Sequence, residues 1–213
     1  SGDGTLVYAT GASRYELAWI DRSGGITGTI GQSQSDAIKY LSISPDDRRV
    51  AVMEGLDIWI YDTIRGGKSR LTREAVVDIF PAWAPDGEQV AFTSFRSGNI
   101  DIWVKQATGT GEARLLVGGP EDQRFPRWSP KDDFLVFYIL DPETERDLWY
   151  QPLTGDGRPE PFVKSPAQEY APCFSPDGDY VVYVSDESGR NEIYVTDFPA
   201  GNNRWPVSVN GGI

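Results

Sequence analysis

One phrase recurs four times along these 213 residues: Ser44-Pro45-Asp46-Asp47, Ala84-Pro85-Asp86-Gly87, Ser129-Pro130-Lys131-Asp132 and Ser175-Pro176-Asp177-Gly178. Two residues before each proline stands Ile43, Trp83, Trp128 or Phe174. The prolines lie 40, 45 and 46 residues apart, a period that suits the blade of a β-propeller rather than a helical solenoid or a leucine-rich repeat. In each phrase proline pre-sets its own φ, aspartate caps the turn and glycine accepts a positive φ. The phrase therefore joins a first strand to a second, and its role is local geometry.

An apolar run follows each phrase: Val50-Ala51-Val52-Met53, Val90-Ala91-Phe92-Thr93, Leu135-Val136-Phe137-Tyr138 and Val181-Val182-Tyr183-Val184. These runs are too short for helices, and their consecutive apolar positions predict second strands buried on both faces between neighbouring sheets. Third strands open on an acid and centre on an aromatic: Asp57-Ile58-Trp59, Asp101-Ile102-Trp103, Asp147-Leu148-Trp149 and Glu192-Ile193-Tyr194. Each aromatic is expected to bury against the next blade, at about 2–3 kcal/mol for a large apolar side chain. Weaker fourth strands are predicted at Arg70-Leu71-Thr72, Arg114–Val117, Pro161–Val163 and Trp205–Val209, where mixed polarity and a proline are tolerated. Gly-rich turns at 65–68, 108–111 and 154–157 link third strands to fourth.

The fold class is thus all-β: a β-propeller of four-stranded antiparallel blades, about five of them, at approximately 1–33, 34–73, 74–118, 119–164 and 165–213. No compositional break marks a linker, so 1–213 reads as a single domain. Asp3-Gly4-Thr5-Leu6-Val7-Tyr8 aligns with Asp177–Val182, which predicts that the first blade lacks its inner strand. In that blade Glu16-Leu17-Ala18-Trp19 carries its tryptophan one place later than Asp57-Ile58-Trp59, which puts the ring on the opposite face. Asn210-Gly211-Gly212-Ile213 resembles the Gly118-Gly119-Pro120 lead into a repeat. These ends suggest a segment of a longer propeller whose open blade edge could pair with a second copy of the chain.

A formal net charge of −12, from 20 basic and 32 acidic residues, opposes nucleic acid and anionic lipid. No run approaches the roughly twenty apolar residues of a membrane span, so direct membrane insertion is not expected. Cys173 has no partner cysteine and lies in an apolar strand, where it reads as a small buried hydrophobe. The chain has no histidine, which removes histidine bases, Ser-His triads and the usual zinc sets. It has no Gly-x-Ser-x-Gly elbow and no Gly-x-Gly-x-x-Gly loop, and Asp197-Phe198-Pro199 reads as a turn. Paired carboxylates are inevitable among 32 acids and carry little weight, and no calcium loop of Asp-x-Asp-x-Asp-Gly form occurs. The expectation is a protein that is not an enzyme, with no catalytic residue, metal or cofactor.

In a four-stranded meander the loops from fourth strand to first and from second to third emerge on the side opposite the Pro-Asp-Gly turns. Those loops carry Asp36, Asp78, Glu121, Asp122 and Glu169, joined by Arg124 and the aromatics Tyr40, Phe80, Phe125 and Tyr170. An acidic, aromatic-lined surface of this kind suits a cationic peptide or amine. The same residues also suit a structural role, the acids capping loop amides and the rings packing between first strands.

These motifs resemble the TolB-like, WD-repeat-related propellers, whose repeat reads aromatic-Ser-Pro-Asp-Gly, an apolar strand, Ser-x-x-x-Gly, then Asp-Ile-Trp or Asp-Leu-Tyr. The resemblance covers nearly the whole chain; Ser94–Trp103 and Ser185–Tyr194 match best, while Lys131-Asp132 and the first blade depart from the pattern. More narrowly, Gly4–Tyr8 with Trp19–Gly24, and Phe174–Gly178 through Ser188-Gly189-Arg190, are similar to the propeller appended to bacterial membrane-bound serine/threonine protein kinases. That resemblance implies a sensor or protein-binding module outside the cytoplasm, in the periplasm or at the cell surface. It is shared with periplasmic scaffold propellers of envelope complexes and with the non-catalytic propellers of prolyl-oligopeptidase-type peptidases.

Overall fold

The computed structural model describes residues 6–10, 14–131, 133–155 and 157–212. The alignment at Asp3–Thr5 and the turn residues Asp132 and Asp156 lie outside the described residues. Among the described residues there are nineteen strands and no helix. The first sheet has three strands in the order β1 (Leu6–Thr10), β2 (Tyr15–Ile20), β3 (Ile26–Gln34). The second runs β4 (Ile38–Ile43), β5 (Arg49–Glu54), β6 (Asp57–Asp62), β7 (Lys68–Arg70), and the third β8 (Asp78–Trp83), β9 (Gln89–Ser94), β10 (Asp101–Gln106), β11 (Arg114–Val117). The fourth comprises β12 (Asp122–Trp128), β13 (Phe134–Asp141), β14 (Glu145–Pro152) and β15 (Glu160–Val163); the fifth comprises β16 (Glu169–Phe174), β17 (Tyr180–Ser185), β18 (Glu192–Asp197) and β19 (Arg204–Pro206). Every sheet is an antiparallel meander with strands in sequence order. By contact density the chain divides into two compact units, Ser1–Ser97 with Trp103–Arg114, and Gly98–Ile102 with Leu115–Ile213.

The described residues of the four proline phrases share one hydrogen bond. Backbone Ser44, Ala84, Ser129 and Ser175 donate to the carbonyls of Arg49, Gln89, Phe134 and Tyr180 at 2.8–2.9 Å. Asp47, Gly87 and Gly178 take positive φ of 58°, 71° and 77°. Where the phrase begins with serine, its hydroxyl donates to the turn acid and accepts from the backbone of the second strand: Ser44 to Asp46 at 2.6 Å and from Arg49 at 2.9 Å, Ser175 to Asp177 at 2.5 Å and from Tyr180 at 3.0 Å. These bonds favour the ionised carboxyl, and both Asp46 and Asp177 are held below the usual carboxylate range, the serine hydroxyl being the main cause. The turn is thus self-contained, as its sequence predicts.

Second strands are buried on both faces. Val50, Ala51, Val52, Val90, Ala91, Phe92, Leu135, Val136 and Phe137 are fully buried. In the first unit, Val50, Val52 and Tyr61 of the second sheet pack with Leu17 and Ile30 of the first, while Ala51, Ile58 and Ile60 on its other face pack with Val90 and Phe92 of the third. In the second unit Tyr138 and Leu148 pack with Tyr183 and Tyr194. Phe198, in the turn after β18, meets Phe134, Phe162 and Phe174 edge-on at 5.2, 5.1 and 4.9 Å between centroids.

Three expectations are corrected here. The third-strand aromatics face the preceding sheet, not the next: Trp59 joins the cluster shared with the first sheet, Trp103 the one shared with the second, and Tyr194 the one shared with the fourth. The alternation of side chains decides this, because Ile58 and Ile60 take the face toward the following sheet. Trp19, displaced by one residue, packs on that second kind of face with Leu17 and Ile30.

Cys173 is exposed rather than buried. The innermost strand of each four-stranded sheet carries an extra residue, in the register shifts 39/42, 79/82, 124/127 and 170/173. At the bulge Tyr40, Phe80, Phe125 and Ala171 adopt φ of 53°, 54°, 61° and 53°. A bulge re-aims the side chains that follow it, and Cys173 is two residues past Ala171. Finally, β7 and β19 end earlier than the apolar pattern suggests. Leu71 and Thr72 both donate to the Ile58 carbonyl, and Val207 and Ser208 both donate to that of Ile193, which closes each ladder.

This packing predicts a steep contrast between strands. Phe92→Ala empties a fully enclosed position and is expected to cost about 3–5 kcal/mol. Trp205→Ala, at a residue 47% exposed on the outer strand β19, is expected to cost less than about 1 kcal/mol. Urea denaturation of both variants checks the difference, and equal losses would contradict it.

Candidate functional site

The acids of the candidate loops divide by burial. In the first unit Asp36 is exposed, whereas Asp78 is fully buried at the start of β8. Both Asp78 oxygens accept from Arg96 Nη2 at 3.1 Å, and Arg96 also reaches Glu74 at 3.3 Å. The guanidinium lies over the rings of Phe92 and Trp103 at 5.2 and 5.1 Å. Burial nevertheless raises the Asp78 pKa, with Ser94, Arg96 and Thr72 working against it. Tyr40, 43% exposed, and Phe80 meet at the bulges with ring centroids 4.3 Å apart.

In the second unit Glu121 is exposed, and Asp122 accepts from Arg124 at 2.9 Å and from the Ile100 backbone at 3.3 Å. Tyr170 lies under the guanidinium of Arg146 at 5.0 Å and belongs to the apolar cluster between β13 and β17. Phe125 is covered by Arg127 at 4.1 Å. Glu169 is fully buried; its Oε1 accepts from Ser165 at 2.5 Å, while Oε2 has no partner among the described residues. Ser165 also lines an open hollow of about 530 Å³ with Ala167, Asp186 and Glu187.

The acids that open third strands act as staples for the loops. Thr72 donates to Asp57 and accepts from Ile58 N; Ser208 donates to Glu192 at 2.6 Å and accepts from Ile193 N at 2.8 Å. Buried Asp147 accepts from Thr144 at 2.7 Å and pairs with Lys164 at 3.1 Å, and Lys164 also holds Asp141 at 2.5 Å. The loops are thereby anchored at their bases, leaving Asp36 and Glu121 as the candidate acids that face water. Among the described residues no group of three or more His, Cys, Asp or Glu is placed to hold a metal ion.

Sequence reasoning missed the bulges and a cleft of about 460 Å³ on the fourth sheet, lined in part by Gln123, Ile139, Trp149 and Lys164. A signal for the bulges was available: Pro81, Pro126 and Pro172 each follow a positive-φ residue in a first strand, and proline inside a sheet is confined to edges and bulges.

No family model matches the chain. Over 89 residues the chain is 35% identical to the uncharacterized peptidase YuxL of Bacillus subtilis, a match covering 42% of this chain and 14% of that protein. Over 87 residues it is 32% identical to the uncharacterized protein Atu1656 of Agrobacterium fabrum, covering 41% of this chain and 29% of that protein. The match thus spans less than a third of either relative's length. Among solved structures it is similar to TolB from Acinetobacter baumannii, with a TM-score of 0.81 and 21% identity over 96% of this chain and 53% of that one. A putative TolB from Agrobacterium tumefaciens gives 0.79 and 19% over 97% and 77%, and a chain of the nidogen/laminin complex gives 0.74 and 13% over 97% and 79%. The fold is that of the TolB-like β-propellers: all-β, built from four-stranded antiparallel blades.

Glu169 makes the site pH-sensitive. Burial is the main cause that pushes its carboxyl up to about 7; repulsion from Asp147 and Glu187 adds to it, while Ser165 and Arg204 oppose it. The folded value lies above the ordinary 4.5, so the folded state holds this proton more tightly than the unfolded chain does. Stability is therefore full below about pH 4.5 and declines as pH rises toward about 7. Glu169→Gln has no proton to lose and is expected to match the parent near pH 4 and exceed it near pH 8, by on the order of 1 kcal/mol after solvent screening. Denaturation midpoints at the two pH values check this, and an unchanged difference between them would contradict it.

Proposed function

We propose that the chain is one non-catalytic propeller domain that binds a protein or peptide through its fourth-to-first and second-to-third strand loops, outside the cytoplasm. The observation that carries this reading is the split among the loop acids. Asp78, Asp147 and Glu169 are buried at the bases of such loops, while Asp36 and Glu121 stand in water on other loops of the same kind. Charged groups held on rigidly based loops are a surface for recognition rather than for holding the fold. With a net charge of −12 the complementary partner is cationic.

The finer reading, a sensor module of a bacterial serine/threonine kinase, is supported by the resemblance of Trp19–Gly24 and Phe174–Gly178 to the propellers of such kinases. A second reading is favoured by the 35% identity with the peptidase YuxL: the propeller of a peptidase whose catalytic part is a separate domain. The two are told apart by the rest of the encoded protein. A kinase with a membrane span before this chain supports the first, and a Gly-x-Ser-x-Gly domain after it supports the second.

Binding itself is tested with a fluorescent Lys/Arg-rich peptide and its Glu-substituted counterpart. The basic peptide is expected to bind, to weaken as salt is raised, and to lose at least about tenfold in affinity with Asp36→Lys combined with Glu121→Lys. Equal binding of the two peptides, or no loss in the double variant, would remove these loops as the site.

A further inference from the structure

One face of the fifth sheet is built like a buried face and stands in water. Across that sheet the register aligns Cys173, Val182, Val195 and Trp205 in one row, a residue from each strand. Tyr183 and Tyr194 alternate with this row and pack on the fourth sheet, so the row occupies the opposite face. Cys173 is exposed, Val182 and Val195 are half-buried, and Trp205 is 47% exposed. Tyr180, 41% exposed, meets the Trp205 ring at 6.2 Å between centroids. Exposed apolar residues gathered on one surface mark an interaction site, whereas scattered ones do not.

The corresponding rows of two other sheets show what such a face meets. In the second sheet the row is Ser42, Ala51, Ile60 and Ser69, and Ala51 and Ile60 are buried against Val90 and Phe92 of the third sheet. In the fourth sheet it is Arg127, Val136, Tyr150 and Glu160, on the face that Leu148 shares with Tyr183 and Tyr194 of the fifth. Both rows have two non-polar central strands under the next sheet, and both end on a polar residue, Ser69 or Glu160, exposed on the outer strand. The fifth row has the same apolar centre but ends on a tryptophan. Its centre calls for a sheet as cover. A sheet laid in the same sense as a following repeat sets outer strand beside outer strand and leaves that position in water, where an indole gains nothing.

We propose that this face is an interface with a second copy of the chain, the two fifth sheets packed face to face about a two-fold axis parallel to their strands. Such an axis sets β16 of one copy over β19 of the other, and β17 over β18. The row grows from the small Cys173 to the large Trp205, so each indole lies over the slim end of the other copy's row and Val182 lies over Val195. The face is thereby complementary to itself in volume. Asp197, opposite Tyr180 in the register, shares this face and meets Tyr180 of the other copy rather than a second carboxylate. Aligned sheets stacked about 10 Å apart are the ordinary geometry of a β-sandwich, and closed two-fold dimers are the commonest soluble oligomers. The surface uses neither Asp36 nor Glu121.

Sedimentation velocity across a range of protein concentrations is expected to show a reversible equilibrium of monomer and dimer that tightens as salt is raised. Each copy carries a net charge of −12, whose repulsion salt screens, while the contact itself is apolar. The contact is located with ¹⁵N-labelled tryptophan indoles. The Trp205 signal, identified by its loss in Trp205→Lys, should shift with the fraction of dimer, while that of Trp19, identified by its loss in Trp19→Phe, stays in place. Trp205→Lys is expected to weaken dimerisation at least about tenfold. Circular dichroism checks that this variant is folded, and Tyr180→Lys, at the other exposed ring of the face, is the second variant. A monomer at every concentration and salt would overturn the proposal. So would a dimer whose Trp205 signal stays fixed, as pairing through the edge of the first sheet would give, or one that both lysine variants leave intact. Binding of the basic peptide weakens with salt whereas this dimer strengthens, so each proposal can fail without the other.

Discussion

The structure depends on strands that have no solvent face. A run such as Val50-Ala51-Val52 or Leu135-Val136-Phe137, fully buried at consecutive positions, needs apolar surface on both sides of its sheet. In the first unit the second sheet meets this need, since alternate residues of β5 and β6 enter two different clusters. Face-to-face stacking of short meanders is the arrangement that encloses β5 within the first unit. It also places the proline turns on one side of each sheet and the longer loops on the other. The loops that carry candidate function are in this sense a by-product of packing.

Stacking also divides the acidic residues into two populations with opposite electrostatics. Turn acids such as Asp46 and Asp177 sit in water among hydroxyl and amide donors, which stabilise the charge and hold their pKa values low. Asp78 and Glu169, at the start of β8 and β16, are buried, and desolvation raises both in spite of their partners. Tyr183 follows the same rule and is pushed up to about 12, burial being the main cause. Net charge alone therefore says little about which carboxylates a ligand meets; burial has to be known residue by residue.

Much of the fold could be read from residue order. Turn chemistry located the Ser-Pro-Asp steps, consecutive apolar residues located β5, β9, β13 and β17, and the displaced tryptophan of the first sheet pointed to the face where Trp19 packs. Side-chain direction was harder to read. An Asp-Ile-Trp run says that its residues alternate, but the partner sheet of each face is set by tertiary stacking, so the side taken by Trp59 and Trp103 had to come from the structure. The bulges escaped because Tyr40, Phe80 and Phe125 hold a backbone conformation uncommon for residues other than glycine, and the exposure of Tyr40 and the re-aiming of Cys173 follow from it. Of the candidate site, the exposed Asp36 and Glu121 were legible, whereas the burial of Asp78 and Glu169 was not. Arg96, 18 residues after Asp78, and Ser165, 4 residues before Glu169, meet these acids only once the loops are folded.

Amide hydrogen exchange along the fourth sheet tests the doubly buried second strand most directly. Backbone amides of β13 should exchange most slowly, those of β14 next, and those of the outer strand β15 fastest, because protection follows burial and ladder position. Exchange in β13 as fast as in β15 would contradict the claim that this strand is enclosed on both faces.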